Sequence, residues 1–185
     1  MEAAATAASD AEIKVLLDIL QSTEQSFLAA VDGVSANQAA FRTAPGRWTI
    51  AEIAEHIALV EETLLTLLSA PEFSAQEPNR SIDDKIHRHA TDRRRPIPAP
   101  EFVIPAGRTG VPESIEKFRK GRAQSRQLAH KTAQDMRNRR VNHPVAGNID
   151  AYQCMLILAY HPQRHVSQVD EIKSHPDFPH GSATK

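Results

Sequence analysis

Between Asp10 and Val34 the apolar side chains Ile13, Leu16, Leu17, Leu20, Phe27, Val31 and Val34 recur at steps of three and four, which places them on one face of a helix. A second stripe, Ile50, Ile53, Ile57, Val60, Leu64 and Leu67, begins behind Thr49. Thr49 and Glu52 have capping-box spacing, the hydroxyl accepting from one backbone N–H while the carboxylate accepts from the other. Pro71 follows the end of this helix. A third helix is expected from Pro112, suited to a first turn, to about Met136. It carries Ile115, Phe118, Leu128, Ala129 and Met136 inward and many Lys and Arg outward, so its apolar stripe is thinner. The fourth starts near Asn148 or Asp150, both capping residue types, and carries Ala151, Cys154, Met155, Leu158, Val166, Val169 and Ile172. His175-Pro176 closes it, because a residue before Pro is driven out of the helical region.

No run of alternating Val, Ile or Thr is bounded by Asn-Gly or Asp-Gly, so no strand is predicted and the chain reads as all-α. Helices 1 and 2, and helices 3 and 4, are separated by about 12 to 15 residues, whereas about 40 separate helices 2 and 3. A long crossover that lets helices 2 and 3 run parallel is implied, giving an up-down-down-up four-helix bundle with the Pro-rich stretch from Pro71 to Pro112 laid across it. The 185 residues suit a single domain, residues 1–185 with a core of about 10–179.

The near-neutral net charge of −1 conceals an asymmetry. Residues 1–79 hold three basic and twelve acidic side chains, whereas residues 80–140 hold sixteen and seven. A basic block of this kind can bind nucleic acid, but Phe102 and Phe118 are its only aromatic residues, too few to interleave for base stacking. A basic helix packed beside acidic ones in one bundle accounts for it better, and nucleic acid is not an expected partner. The single Cys, Cys154, removes any disulfide framework or multi-cysteine zinc site, and reads as a small core residue. With no run long and apolar enough for a membrane span and no secretory leader, the chain is expected to begin as written and to be cytoplasmic.

Nine histidines remain to be placed. His161 and His165 form HPQRH, an i, i+4 pair that continues the stripe from Leu158 to Val169, so both rings project inward about one turn apart. His56 lies between Ile53 and Val60 on the inward face of helix 2. A lone inward His is usually a satisfied core residue, and HxxxH alone is a weak signal. Three neutral imidazoles buried from two helices are costly unless something engages their lone pairs, which a divalent metal does, leaving a coordination position open. His87 and His89 fall in the polar crossover and read as solvated or lid residues. His130 flanks the basic helix, His143 precedes a Pro in a turn, and His175 and His180 lie in the tail, none with ligand spacing. Pro162 removes the hydrogen bond to Leu158 at a cost of roughly 3 kcal/mol in a helix interior. It either bends helix 4 at the site or breaks it, and a break would rotate His165 away from His161.

The segments RWTIAEIAEHIALVEE, PEFVIPAGRTGVPESIEKFRKGR and HPVAGNIDAYQCMLILAYHPQRHVSQVDEIKSHPDFP together resemble the DinB-like superfamily of metal-dependent helical bundles, over about Asp10 to Pro179. The resemblance implies one His on helix 2 and an HxxxH pair on helix 4 around one divalent metal, which fall here on His56, His161 and His165. Pro162 within the pair departs from that pattern. The resemblance also implies the up-down-down-up bundle, frequent homodimers, and relatives that include mycothiol-, bacillithiol- or glutathione-dependent transferases and isomerases.

The leading expectation is therefore a metal-dependent enzyme, a transferase, isomerase or hydrolase. Zn or Ni is the expected metal and Mn or Fe the alternative, with a small-molecule substrate such as a low-molecular-weight thiol. Arg119, Arg122 and Arg126 are candidates to attract an anionic cosubstrate, and Glu52, Glu55 and Gln168 to orient an imidazole. The competing readings are a nucleic-acid or regulatory binding module built on the basic block, and a metal-free helical scaffold.

Overall fold

The computed structural model describes residues 7–94, 96–133 and 135–179. Helix α1 spans Asp10–Val31 and opens on a capping box of Ser9 and Glu12. It stops short of Val34 because Gly33 takes a φ of 66°, a left-handed conformation that glycine adopts without penalty. The short α2, Ala36–Ala40, was not expected, since five residues are too few to show a period. Its trace in the sequence is the Ser35/Gln38 capping box. Helix α3, Ile50–Ser69, starts on the Thr49/Glu52 box as read from the sequence. A further helix, α4 (Asp83–Thr91), forms within the crossover, and α5 spans Val111–Thr132. Met136 therefore lies beyond α5, although it is still buried. Helix α6, Ala151–Lys173, is capped by Asp150 and Gln153 and runs unbroken through Pro162.

A small antiparallel sheet of order β1-β2-β3 departs from the strand-free reading: β1 is Glu72–Phe73, β2 Arg139–His143 and β3 Gly147–Asp150. Val141 pairs with Ile149 and His143 with Gly147, whose φ of 72° closes the hairpin. Strands β2 and β3 bury one large aliphatic residue each, Val141 and Ile149, and β1 buries none, which is too little alternation to register in a sequence. Among the described residues the other regular elements are helices and short helical turns, and the four long helices form the bundle.

Helix α1 packs against α5 and α6, and α3 packs against the same two. The Tyr152 hydroxyl donates to the Glu12 carbonyl and the Thr23 hydroxyl to the Ala159 carbonyl, so α1 and α6 run alongside in one sense. Two apolar clusters fill the interior. One gathers Leu16, Leu20, Leu64, Leu68, Met155 and Leu158, the other Phe27, Ile50, Ile53, Phe118 and Val169. On each long helix at least one buried polar group falls between these two sets: Thr23 on α1, Glu61 on α3, Arg122 and Ser125 on α5, and His165 on α6. Glu61 pairs with Arg122 at 3.1 Å and accepts from the Ser125 hydroxyl at 2.7 Å, while Arg126 pairs with Glu24. His161 and His165 also lie in this middle layer, and His56, flanked on α3 by Ile53 and Ile57 of the second cluster, reaches them at its edge. Gly121 makes room for this layer, since a Cβ there would stand 2.7 Å from Glu61 Cγ.

The same layer explains how α6 survives its proline. Pro162 has no N–H for the Leu158 carbonyl, and that carbonyl instead accepts from Arg122 Nη2 at 3.4 Å. The helix stays continuous and His161 and His165 keep a common face.

Candidate metal centre

His56, on the second turn of α3, meets His161 and His165, one turn apart on α6. One ring nitrogen from each lies within 4.8 Å of the others. The ring centroids are 4.6 to 5.1 Å apart, and the Nε2 atoms of His161 and His165 approach to 3.0 Å. Among the described residues this is the one group of three or more His, Cys, Asp or Glu side chains gathered so closely.

Outer hydrogen bonds set the chemistry of two rings. His56 Nδ1 lies 2.7 Å from the Val103 carbonyl, which can only accept, so Nδ1 carries the proton and Nε2 is left as a lone pair. His165 Nδ1 lies 3.0 Å from Gln168 Oε1, with the same result. Burial holds all three imidazoles neutral. It lowers the pKa of His56 despite the Val103 bond. The pKa of His165 is pushed down to about 3, first by burial and then by the neighbouring His56. That of His161 falls well below the ordinary value, by burial and by His165 and His56. Neutral nitrogen donors with lone pairs turned to a common space, and outer N–H groups anchored on oxygen acceptors, are the donor set that suits a borderline divalent ion such as Zn or Ni. The residues present therefore fit a metal.

Trp48 covers this cluster, its ring 4.6 Å from that of His56 and 6.3 Å from that of His165. In front lies a pocket with about 820 Å3 of empty space, solvent at its mouth included, lined by Trp48, Val60, Ile157 and the three histidines among others. The crossover forms part of its wall through Ile97, Phe102 and Val103. Glu55 steadies that segment by accepting from the backbone N–H groups of Gly107, at 2.8 Å, and Arg108.

Of the expected supporting residues, Gln168 alone contacts a histidine of the cluster. Glu52 instead caps α3 and pairs with Arg42, and Glu55 holds the crossover. The Val103 carbonyl, the partner of His56, had no signal in the sequence, because a backbone acceptor brought in from 47 residues away has no residue type. The three arginines do not converge on the site. Arg119 is exposed, Arg122 is buried against Glu61 with its guanidinium 4.9 Å from the Phe118 ring, and Arg126 is held by Glu24. Arg137, equally buried, is ringed by Glu12, Asp83 and Asp150. Much of the basic block is thus neutralised by acidic helices beside it.

The remaining histidines do other work. His87 stacks on Tyr160 at 4.4 Å, and His89 and His130 are exposed. His143 is buried at the pocket, its Nδ1 accepting from the backbone N–H groups of Val145 and Ala146. His175 Nδ1 accepts from the Asp177 N–H, and His180 lies outside the described residues. Burial raises the Cys154 thiol to about 12, which makes it a core residue and no nucleophile. Among the described residues no helix is long and apolar enough to cross a membrane.

The family model of the DinB superfamily matches residues 19–169. No curated protein sequence matches the chain. Among solved structures, YfiT from Bacillus subtilis, described as "a probable metal-dependent hydrolase with an unusual four-helix bundle topology", is similar with a TM-score of 0.58 and 13% identity. The match covers 89% of this chain and 87% of that one. At that identity the likeness is one of fold.

Proposed function

The chain belongs to the DinB superfamily, and from that membership we propose that it is a metal-dependent hydrolase of a small organic substrate. His56, His161 and His165 would hold one divalent transition metal, zinc or nickel. The observation that carries this reading is the pair of outer hydrogen bonds, Val103 to His56 and Gln168 to His165, which leave Nε2 lone pairs facing a shared space. The lone pair of His165 has His161 Nε2 within hydrogen-bonding distance at 3.0 Å, and a divalent ion would engage all three rings at once. A divalent ion there supplies Lewis acidity, polarising a carbonyl and making a water or thiol ligand more acidic. The protein's own part is to fix the rings, to screen them from bulk water with Trp48 and the crossover wall, and to seat the substrate in the pocket.

Hydrolysis is favoured over transfer from an anionic thiol because Arg122 and Arg126 are engaged in ion pairs. The likeness to YfiT points the same way. Elemental analysis of untagged protein, purified without chelators, tests the metal. About one transition metal per chain is expected, lost in the His56→Ala, His161→Ala and His165→Ala variants. Full metal content in all three variants would overturn the assignment.

A further inference from the structure

The space in front of the histidines is walled mainly by hydrocarbon. The bundle contributes Trp48, Val60, Leu64 and Ile157, and the crossover contributes Ile97 and Phe102. Of the six large apolar side chains exposed on the described surface, three (Ile97, Phe102 and Val145) line this pocket, which is more than scattered surface residues would do. Arg164 is the one lysine, arginine, aspartate or glutamate among the lining residues, and its Nη1 donates to the Asp92 carbonyl. Arg122 and Arg126, the strongest candidates for an anion-attracting surface, do not line it.

We propose that this pocket selects a small molecule with an uncharged apolar body, aliphatic or aromatic, whose single polar group reaches His56, His161 and His165. A substrate bearing several charges or hydroxyls would bury polar groups against Val60, Ile157 and Phe102 with no partners, which is costly. Hydrocarbon in the same place gains affinity with every methylene covered. The polar group's part rests on the metal reading given above, and the apolar body's part does not.

The single tryptophan is Trp48, in the wall of this pocket, so its emission responds to a ligand bound here. Two ligand series separate the two claims. Linear hydroxamates of two, four, six and eight carbons are titrated into the zinc-loaded full chain, and 1-butanol, 1-hexanol and 1-octanol into the metal-free chain, with glutathione as the charged comparator. Affinity is expected to rise in both series, by up to about fourfold per added methylene, with glutathione weaker than the eight-carbon hydroxamate. The Ile97→Ser and Phe102→Ser variants change exposed side chains and should fold normally. They should weaken the eight-carbon hydroxamate several-fold and leave the two-carbon one unchanged. A rising alcohol series in protein that takes up no metal would support the apolar site and sink the metal reading. Bound zinc with affinity that does not change with chain length, or with glutathione bound most tightly, would overturn the apolar site while the metal reading stands.

Discussion

Gln168 and His165 form the hydrogen bond by which a side chain tunes the candidate centre, and its removal has a defined expectation. Gln168→Ala frees Nδ1 of His165, allowing the other tautomer, and should weaken metal binding by about 10- to 100-fold while leaving thermal stability of the metal-free protein nearly unchanged. Gln168→Glu, which keeps an acceptor, should retain tight binding, as competition with a chromophoric chelator would show. His143, at the pocket but outside the cluster of three histidines, offers a pH test of its own. Burial lowers its pKa to about 4, and as a neutral ring it accepts from Val145 and Ala146. The unfolded chain takes up this proton near pH 6.5, the folded chain only near 4. Its contribution to stability is therefore complete above about pH 6.5 and drains away as pH falls to about 4, to a total on the order of 3 kcal/mol. His143→Asn keeps an acceptor and cannot titrate. Denaturant unfolding from pH 7 to 4 should show the variant losing less stability than the parent, and equal losses would refute a neutral, structural His143.

At the scale of the element, α6 depends on a donor from another helix. The sequence posed bending or breaking at Pro162 as alternatives. The helix runs unbroken because Arg122 on α5 supplies the Leu158 carbonyl with a donor. A double-mutant cycle measures this. Arg122→Met leaves Glu61 buried and unpaired and should cost about 3–5 kcal/mol. Pro162→Ala restores an N–H for Leu158, so it should stabilise the Arg122→Met background more than the parent, by about 1 kcal/mol. Zero coupling in chemical denaturation would remove Arg122 from any part in holding α6 together.

For the whole molecule, the buried polar layer between two apolar clusters is the arrangement that matters, and a metal bound there should be felt as global stability. Free zinc or nickel at a hundredfold excess over its dissociation constant stabilises the folded state by about 2.7 kcal/mol. In a chain of this length that raises Tm by about 5 to 10 °C. Calorimetry with and without added ion reads it, and an unchanged Tm at saturating metal would count against a site formed only in the folded chain. The charge asymmetry has its explanation at this scale too: Arg80 and Arg137 meet Glu12, Arg122 meets Glu61, and Arg126 meets Glu24.

Period and capping chemistry were enough to place the four long helices to within a few residues and to put His56, His161 and His165 on inward faces, because both are local properties of a single helix. The same reasoning passed over α4, whose fixation comes from packing on α6, and the β2-β3 hairpin, whose strands bury too few residues to show a pattern. The partner of His56 was equally invisible, since the Val103 carbonyl is delivered by the return of the crossover. Only the tertiary structure could decide that Arg122 would be a buried stitch beneath Pro162 and not a cationic lure, or that the histidines would face a hydrocarbon-walled pocket. Those outcomes depend on which helices are neighbours and at what depth, and residues far apart in the chain meet only through packing.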